Sequence, residues 1–167
     1  MSFSTRLRRR LGVAAIALAA TTAATLASGP GAAQVAPQLP RLTTTGNDFG
    51  TFGDHDYCRG AVGVGLTSPR RGVVTVTLRS HGFTGQGAGW ARNPKCRVLF
   101  IATHTSATGY MRDTYIPATF GRRAGETVSR DIRTGSGLVE LGITPYAKNV
   151  PVRAPQGYGW GAYFIAP

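Results

Sequence analysis

The 167-residue chain, 42% hydrophobic, is long enough for one packed domain and too short for a multi-domain enzyme. Its 19 basic against 7 acidic residues give a net charge of +12, nearly all from arginine because Lys95 and Lys148 are the only lysines. Two cysteines exclude a cysteine-dense scaffold and any paired-cysteine zinc motif.

Residues 1–33 have the layout of a secretory signal. Arg6, Arg8, Arg9 and Arg10 precede a charge-free run from Leu11 to Ala27, then Gly29-Pro30-Gly31 leads to small residues ending at Ala33. The run approaches the length of a short membrane span, but it is built largely from Ala and Thr, which favours a cleaved signal over an anchor. No cysteine lies near the cleavage region, which excludes a lipoprotein anchor. Arg8-Arg9-Arg10-Leu11 is a weak match to a twin-arginine signal because Gly12 follows. Four of the 19 basic residues and none of the 7 acids lie before Ala33, so the mature domain keeps a net charge of +8. The reading predicts an extracytoplasmic protein, secreted or associated with the cell envelope, with no transmembrane segment after cleavage.

Residues 34–45, with Pro37 and Pro40 and no clear period, read as a flexible leader. Residues 46–167 read as a single β-domain. Two cysteines in an exported chain are expected to pair. A Cys58–Cys96 bridge would close a loop of about 39 residues and contribute about 4 kcal/mol through loop-closure entropy.

Extended segments then recur between turn signals. Tyr57–Leu66 places Cys58, Gly60, Val62, Val64 and Leu66 on one face. Val73–Ser80 alternates, with Val74, Val76 and Leu78 inward. Cys96–His104 is apolar on both faces and reads as a central strand covered on both sides. Tyr110–Ile116, Thr127–Arg133, Leu138–Thr144 and Tyr158–Ile165 bring the count to about seven strands. In the last, Tyr158, Trp160, Ala162 and Phe164 share one face, opposite glycines. No helical period follows residue 33. The expected architecture is an immunoglobulin-like β-sandwich, with a small β-barrel as the alternative.

Three stretches could carry chemistry. Asp54, His55 and Asp56 cluster with Asp48 in a turn-rich segment from Thr43 to Cys58, which makes them metal candidates or backbone-capping turn residues. His55, His81 and His104 are the candidate general bases. No G-x-S-x-G elbow, H-E-x-x-H motif or cofactor motif accompanies them. Gly82–Lys95, with four glycines, reads as a long loop without secondary structure that ends beside Cys96. Its Phe83, Trp90 and Arg92 are binding candidates, or the two aromatics fold back onto the sandwich.

The strings Tyr57-Cys58-Arg59-Gly60, Gly82-Phe83-Thr84-Gly85, Asn93-Pro94-Lys95-Cys96 and Ile132-Arg133-Thr134-Gly135, with the Gly-rich aromatic C-terminus, resemble a group of small secreted actinobacterial proteins. The resemblance implies a fold and a location and no mechanism. Some similar chains carry an enoyl-CoA hydratase label. Crotonase-type enzymes are about twice as long, α/β-built and cytoplasmic, and none of their acid/base site is found here.

The residues therefore predict a non-enzymatic, envelope-associated binding or structural module with a diffusely basic surface. Anionic envelope polymers, glycans or lipids are the expected partners, and no nucleic-acid module pattern is visible. The alternative is a small secreted hydrolase or metal-dependent enzyme built on Asp54-His55-Asp56.

Overall fold

The computed structural model describes residues 37–106, 108–148 and 154–167. The signal, its cleavage site and the first leader residues lie outside the described residues. The strands are β1 (Arg41–Thr43), β2 (Asp48–Phe52), β3 (Arg59–Arg70), β4 (Val73–Thr84), β5 (Cys96–Thr105), β6 (Met111–Phe120), β7 (Thr127–Arg133), β8 (Gly137–Ala147) and β9 (Trp160–Ala166). One short helix, α1 (Gly87–Arg92), joins β4 to β5.

The strands form two antiparallel sheets, β2-β3-β4-β7 and β1-β9-β8-β5-β6. The seven expected strands correspond to β3–β9. Among these, the first, second and fifth share one sheet, and the remaining four run seventh, sixth, third, fourth in the other. This is an immunoglobulin-like linkage with the fourth strand moved onto the second sheet. The two sheets keep separate edges, so the fold is a sandwich and not a closed barrel.

Strict alternation builds the core. Val74, Val76 and Leu78 of β4 are fully buried and join Val98, Phe100 and Ala102 of β5 and Leu141 and Ile143 of β8 in one cluster. An aromatic series crosses between the sheets: Phe83 stacks on Phe120 at 5.3 Å, and Phe100 lies 6.4 Å from Phe120 and 5.9 Å from Phe49. The expectation that β5 is covered on both sides is corrected in part. Leu99 is buried beside Pro117 and Tyr146 of the flanking strands, whereas Ile101 stays partly exposed.

The leader and the segment after it are also corrected. Leu39 donates its N–H to the Leu66 carbonyl, and Arg41–Thr43 form β1 on the edge of β9. The chain then crosses to the other sheet as β2, pairing with β3 through Asp48–Phe52. Proline obscured this edge pairing, since a strand that needs few N–H donors tolerates it. Arg41 secures the crossover: Nη2 donates to Asn47 Oδ1 at 2.9 Å and the Val64 carbonyl at 2.8 Å, and the guanidinium lies 5.7 Å from the Trp160 ring centroid.

Cys58 and Cys96 are bonded and wholly buried, tying the start of β3 to the start of β5 in the opposite sheet. Reduction should lower the unfolding free energy by about 4 kcal/mol. Denaturant titration with and without reductant measures the difference. A loss below about 1 kcal/mol would mean that the core alone holds the sheets together.

Candidate functional site

The three histidines do not form one site. His55 lies in the loop before β3, His81 on β4 and His104 on β5. His55 Nδ1 contacts Asp54 Oδ1 at 2.9 Å, and Nε2 lies 3.8 Å from Asp56. Asp54, its side chain almost fully buried, also accepts from Arg97 Nε at 2.8 Å and from the Arg97 backbone N–H. Cys58 Sγ lies within reach of these donors, but it is bonded to Cys96 and carries no thiolate. The expected metal candidates therefore form a clamp that fastens the β2–β3 loop to β5. A cation there would have to displace Arg97. Asp54→Ala should cost about 2 kcal/mol of stability, the value of charge-assisted hydrogen bonds at a buried carboxylate. An unchanged denaturation midpoint would refute the clamp.

The Gly82–Lys95 segment differs from its expectation. Gly82–Thr84 extends β4, and Gly87–Arg92 is helical. Phe83 and Trp90 are 3% and 4% exposed, so neither offers a face to a ligand. A Cβ at Gly85 would enter the Trp90 ring, so glycine is what lets the indole pack down onto the chain. Arg92 is exposed in the last turn of α1. The second reading of this stretch, aromatics folded back onto the sandwich, is the one the structure realises.

The open aromatic surface lies elsewhere. A groove of about 620 Å³ sits at the end of the four-stranded sheet, where β2, β3 and β4 meet the β6–β7 loop and the segment before β9. Phe52 is 48% exposed and Tyr158 90% exposed, and both line it. Arg59, Arg122 and His81 supply its basic side chains, and the lining contains no Asp or Glu. Glycine shapes the floor. A Cβ at Gly60 would meet the Phe83 ring, and one at Gly157 the Gly50 carbonyl, so side chains there would force the backbones apart. Arg122 is held from behind by the buried Trp90 ring, 5.9 Å from its centroid.

Sequence reasoning missed Phe52, Arg59, Arg122 and Tyr158. The signal for Phe52 was present in Asp48-Phe49-Gly50-Thr51-Phe52, where Phe49 and Thr51 are buried and the other three exposed. The sequence placed Tyr158 in one row with Trp160, Ala162 and Phe164, but β9 starts at Trp160 and leaves Tyr158 exposed in the preceding loop while the other three are buried.

At the groove's inner end His81 Nε2 meets Asp48 Oδ1 at 2.9 Å, both more than half exposed. A Cβ at Gly63 would crowd this pair from below. His104 is different: it is 4% exposed, and its Nδ1 has no hydrogen-bond partner. It faces a cleft of about 250 Å³ with Tyr110, Arg112, Thr134 and Ser136.

Burial holds the His104 pKa below the ordinary value of 6.5, and nearby Arg112 acts in the same direction. The unfolded chain therefore binds a proton here more readily than the folded one. Stability from this group is complete above 6.5 and is lost as pH falls from 6.5 through the folded pKa. Urea midpoints between about pH 7.5 and 5 should fall more steeply for the wild type than for His104→Gln. Contributions shared by the two proteins, including those of His55 and His81, cancel in the difference. Parallel slopes would refute the assignment.

Comparison with protein-family models, curated proteins and solved structures finds no match. Among the described residues no helix is long and apolar enough to cross a membrane.

Proposed function

We propose that the mature chain is a non-catalytic, secreted binding module associated with the cell envelope, and that it holds an anionic glycan in the Phe52–Tyr158 groove. The observation that carries the reading is the composition of that groove: two exposed aromatic rings, two arginines and a histidine, with no carboxylate in the lining. Exposed aromatic rings offer apolar faces to the C–H side of a sugar. Guanidinium groups engage carboxylate or phosphate in paired hydrogen bonds. The net positive charge of the domain adds long-range, salt-sensitive attraction to anionic polymers.

The binding reading is favoured over the hydrolytic one by what surrounds His81. Its Nε2 is occupied by Asp48, and the groove lining holds no Ser or Cys to serve as nucleophile. The Thr51 hydroxyl is buried and donates to the Phe52 carbonyl.

The test is co-sedimentation of reoxidised Gln34–Pro167 with purified cell envelopes across a salt series. Phe52→Ala/Tyr158→Ala should bind at least tenfold more weakly, about 1.4 kcal/mol, with wild-type stability because both rings are exposed. Arg59→Gln/Arg122→Gln should also lose affinity and flatten the salt dependence. Salt-sensitive binding unchanged in both variants would reduce the interaction to diffuse charge. Absence of binding at every salt concentration would refute the envelope assignment.

A further inference from the structure

Resting on that reading, we infer that the groove is one half of a longer track along the outer face of the four-stranded sheet, and that its ligand is a linear uronate-type glycan. A second depression, of about 580 Å³, lies farther along β3 and includes Gly63, Gly65, Thr77 and Arg79. His81 lines both depressions.

The track follows from alternation in three neighbouring strands. The outward positions of β3 are Ala61, Gly63, Gly65 and Thr67, all small, while its inward positions Val62, Val64 and Leu66 are buried. Larger outward side chains flank its first half, Phe52 and Asp48 on β2 and His81 and Arg79 on β4, whereas Thr77, Thr75 and Gln38 flank Gly65 and Thr67. The middle strand thus lies below its neighbours. From Arg59 to Thr67 the channel runs roughly 26 Å at the usual strand rise, too long for a single sugar ring to occupy.

Charge distribution selects the polymer. Arg59 and Arg122 stand at one end and Arg79, opposite Gly63, at the midpoint, with His81 between them. Among the described residues none of these three arginines forms an ion pair with a carboxylate. The one acid in the track, Asp48, is taken up by His81. Cations spaced along a channel match an anion repeated along a chain. They do not converge on one point, as a single compact anion would require. The Asp48–His81 pair crosses the channel over Gly63, so a chain spanning both halves rides over it and presents ring hydroxyls to it.

Isothermal titration of refolded Gln34–Pro167 with digalacturonate and hexagalacturonate tests this. The hexamer should bind at least tenfold more tightly than the dimer. Gly65→Val places a branched side chain in the far half. Its added Cβ would come 3.3 Å from Gln38 Oε1, which accepts from the Leu66 N–H, so the variant's thermal unfolding midpoint is measured alongside to establish that the fold is kept. In that variant hexamer affinity should fall to the dimer value while dimer affinity is unchanged. Arg79→Gln, on an exposed position, should weaken the hexamer only.

A statistical gain from extra registers on the hexamer would persist in Gly65→Val, and that result would overturn the track. Equal affinity for dimer and hexamer would also overturn it and leave the single groove standing. No binding of either oligomer, with the fold intact, would remove the glycan reading itself.

Discussion

The junction of the two sheets around Cys58–Cys96 is the constraint on which the rest of the molecule depends. The cystine joins β3 to β5, and Asp54 repeats the connection in polar form by binding Arg97 on β5. Gly53 lies against both cystine sulfurs, leaving no room for a side chain. Asp56 and Tyr57 take left-handed backbone conformations, each at φ 50°, to bring the loop back to Cys58. Such conformations are costly for residues other than glycine and persist only where surrounding contacts impose them. Here those contacts are the cystine, the Asp54 clamp and the packing of Asp56 against Gly89 of α1. The strain belongs to the junction that ties the two sheets together.

That junction also positions the candidate groove. Holding α1 down buries Trp90, and Trp90 in turn supports Arg122 from behind. The aromatic residues of the β4–β5 connection are consumed in positioning a groove whose own rings, Phe52 and Tyr158, come from elsewhere in the chain. The outer face of the five-stranded sheet is built differently. Leu42 pairs across strands with Tyr163, and Leu138 with Ile165, all exposed. The first of these pairs supports the short β1 edge. The two outer faces thus differ, one carrying exposed Leu42, Leu138, Tyr163 and Ile165 beside Glu140 and Asp113, the other a trough lined by glycine and arginine.

The acids follow one logic throughout. Asp48 holds His81, Asp54 holds Arg97, Asp56 approaches His55 and Glu126 holds Lys95. Asp113, Asp131 and Glu140 accept from Thr103, Thr75 and Tyr163. All seven acids in the sequence are engaged within the fold. The cationic surplus therefore cannot be neutralised internally, and Arg59, Arg79 and Arg122 keep their charge available on the outer face of one sheet. A count of charges predicts a diffusely basic surface. Which arginines remain available depends on the distribution of the carboxylates.

Much of the fold was legible because alternation is local. In Val73–Ser80 a residue's parity decides its face, and the same rule located seven strands and the buried rows, while the count of two cysteines pointed to their pairing. β1 and β2 escaped because Pro40, Gly50 and the surrounding acids mask their period, and they are strands only through the partners that β9 and β3 supply. The candidate site was far less legible. Whether Trp90 or Tyr158 faces solvent depends on what packs over it, and Phe52, Arg59, Arg122 and Tyr158 are separated by up to 106 positions in sequence. Sequence alone determined the fold class, the core faces and the disulfide, since these follow from short-range period and composition. Tertiary structure alone decided which aromatics are open and which charges are unpaired, because burial and neutralisation are properties of contacts between distant segments.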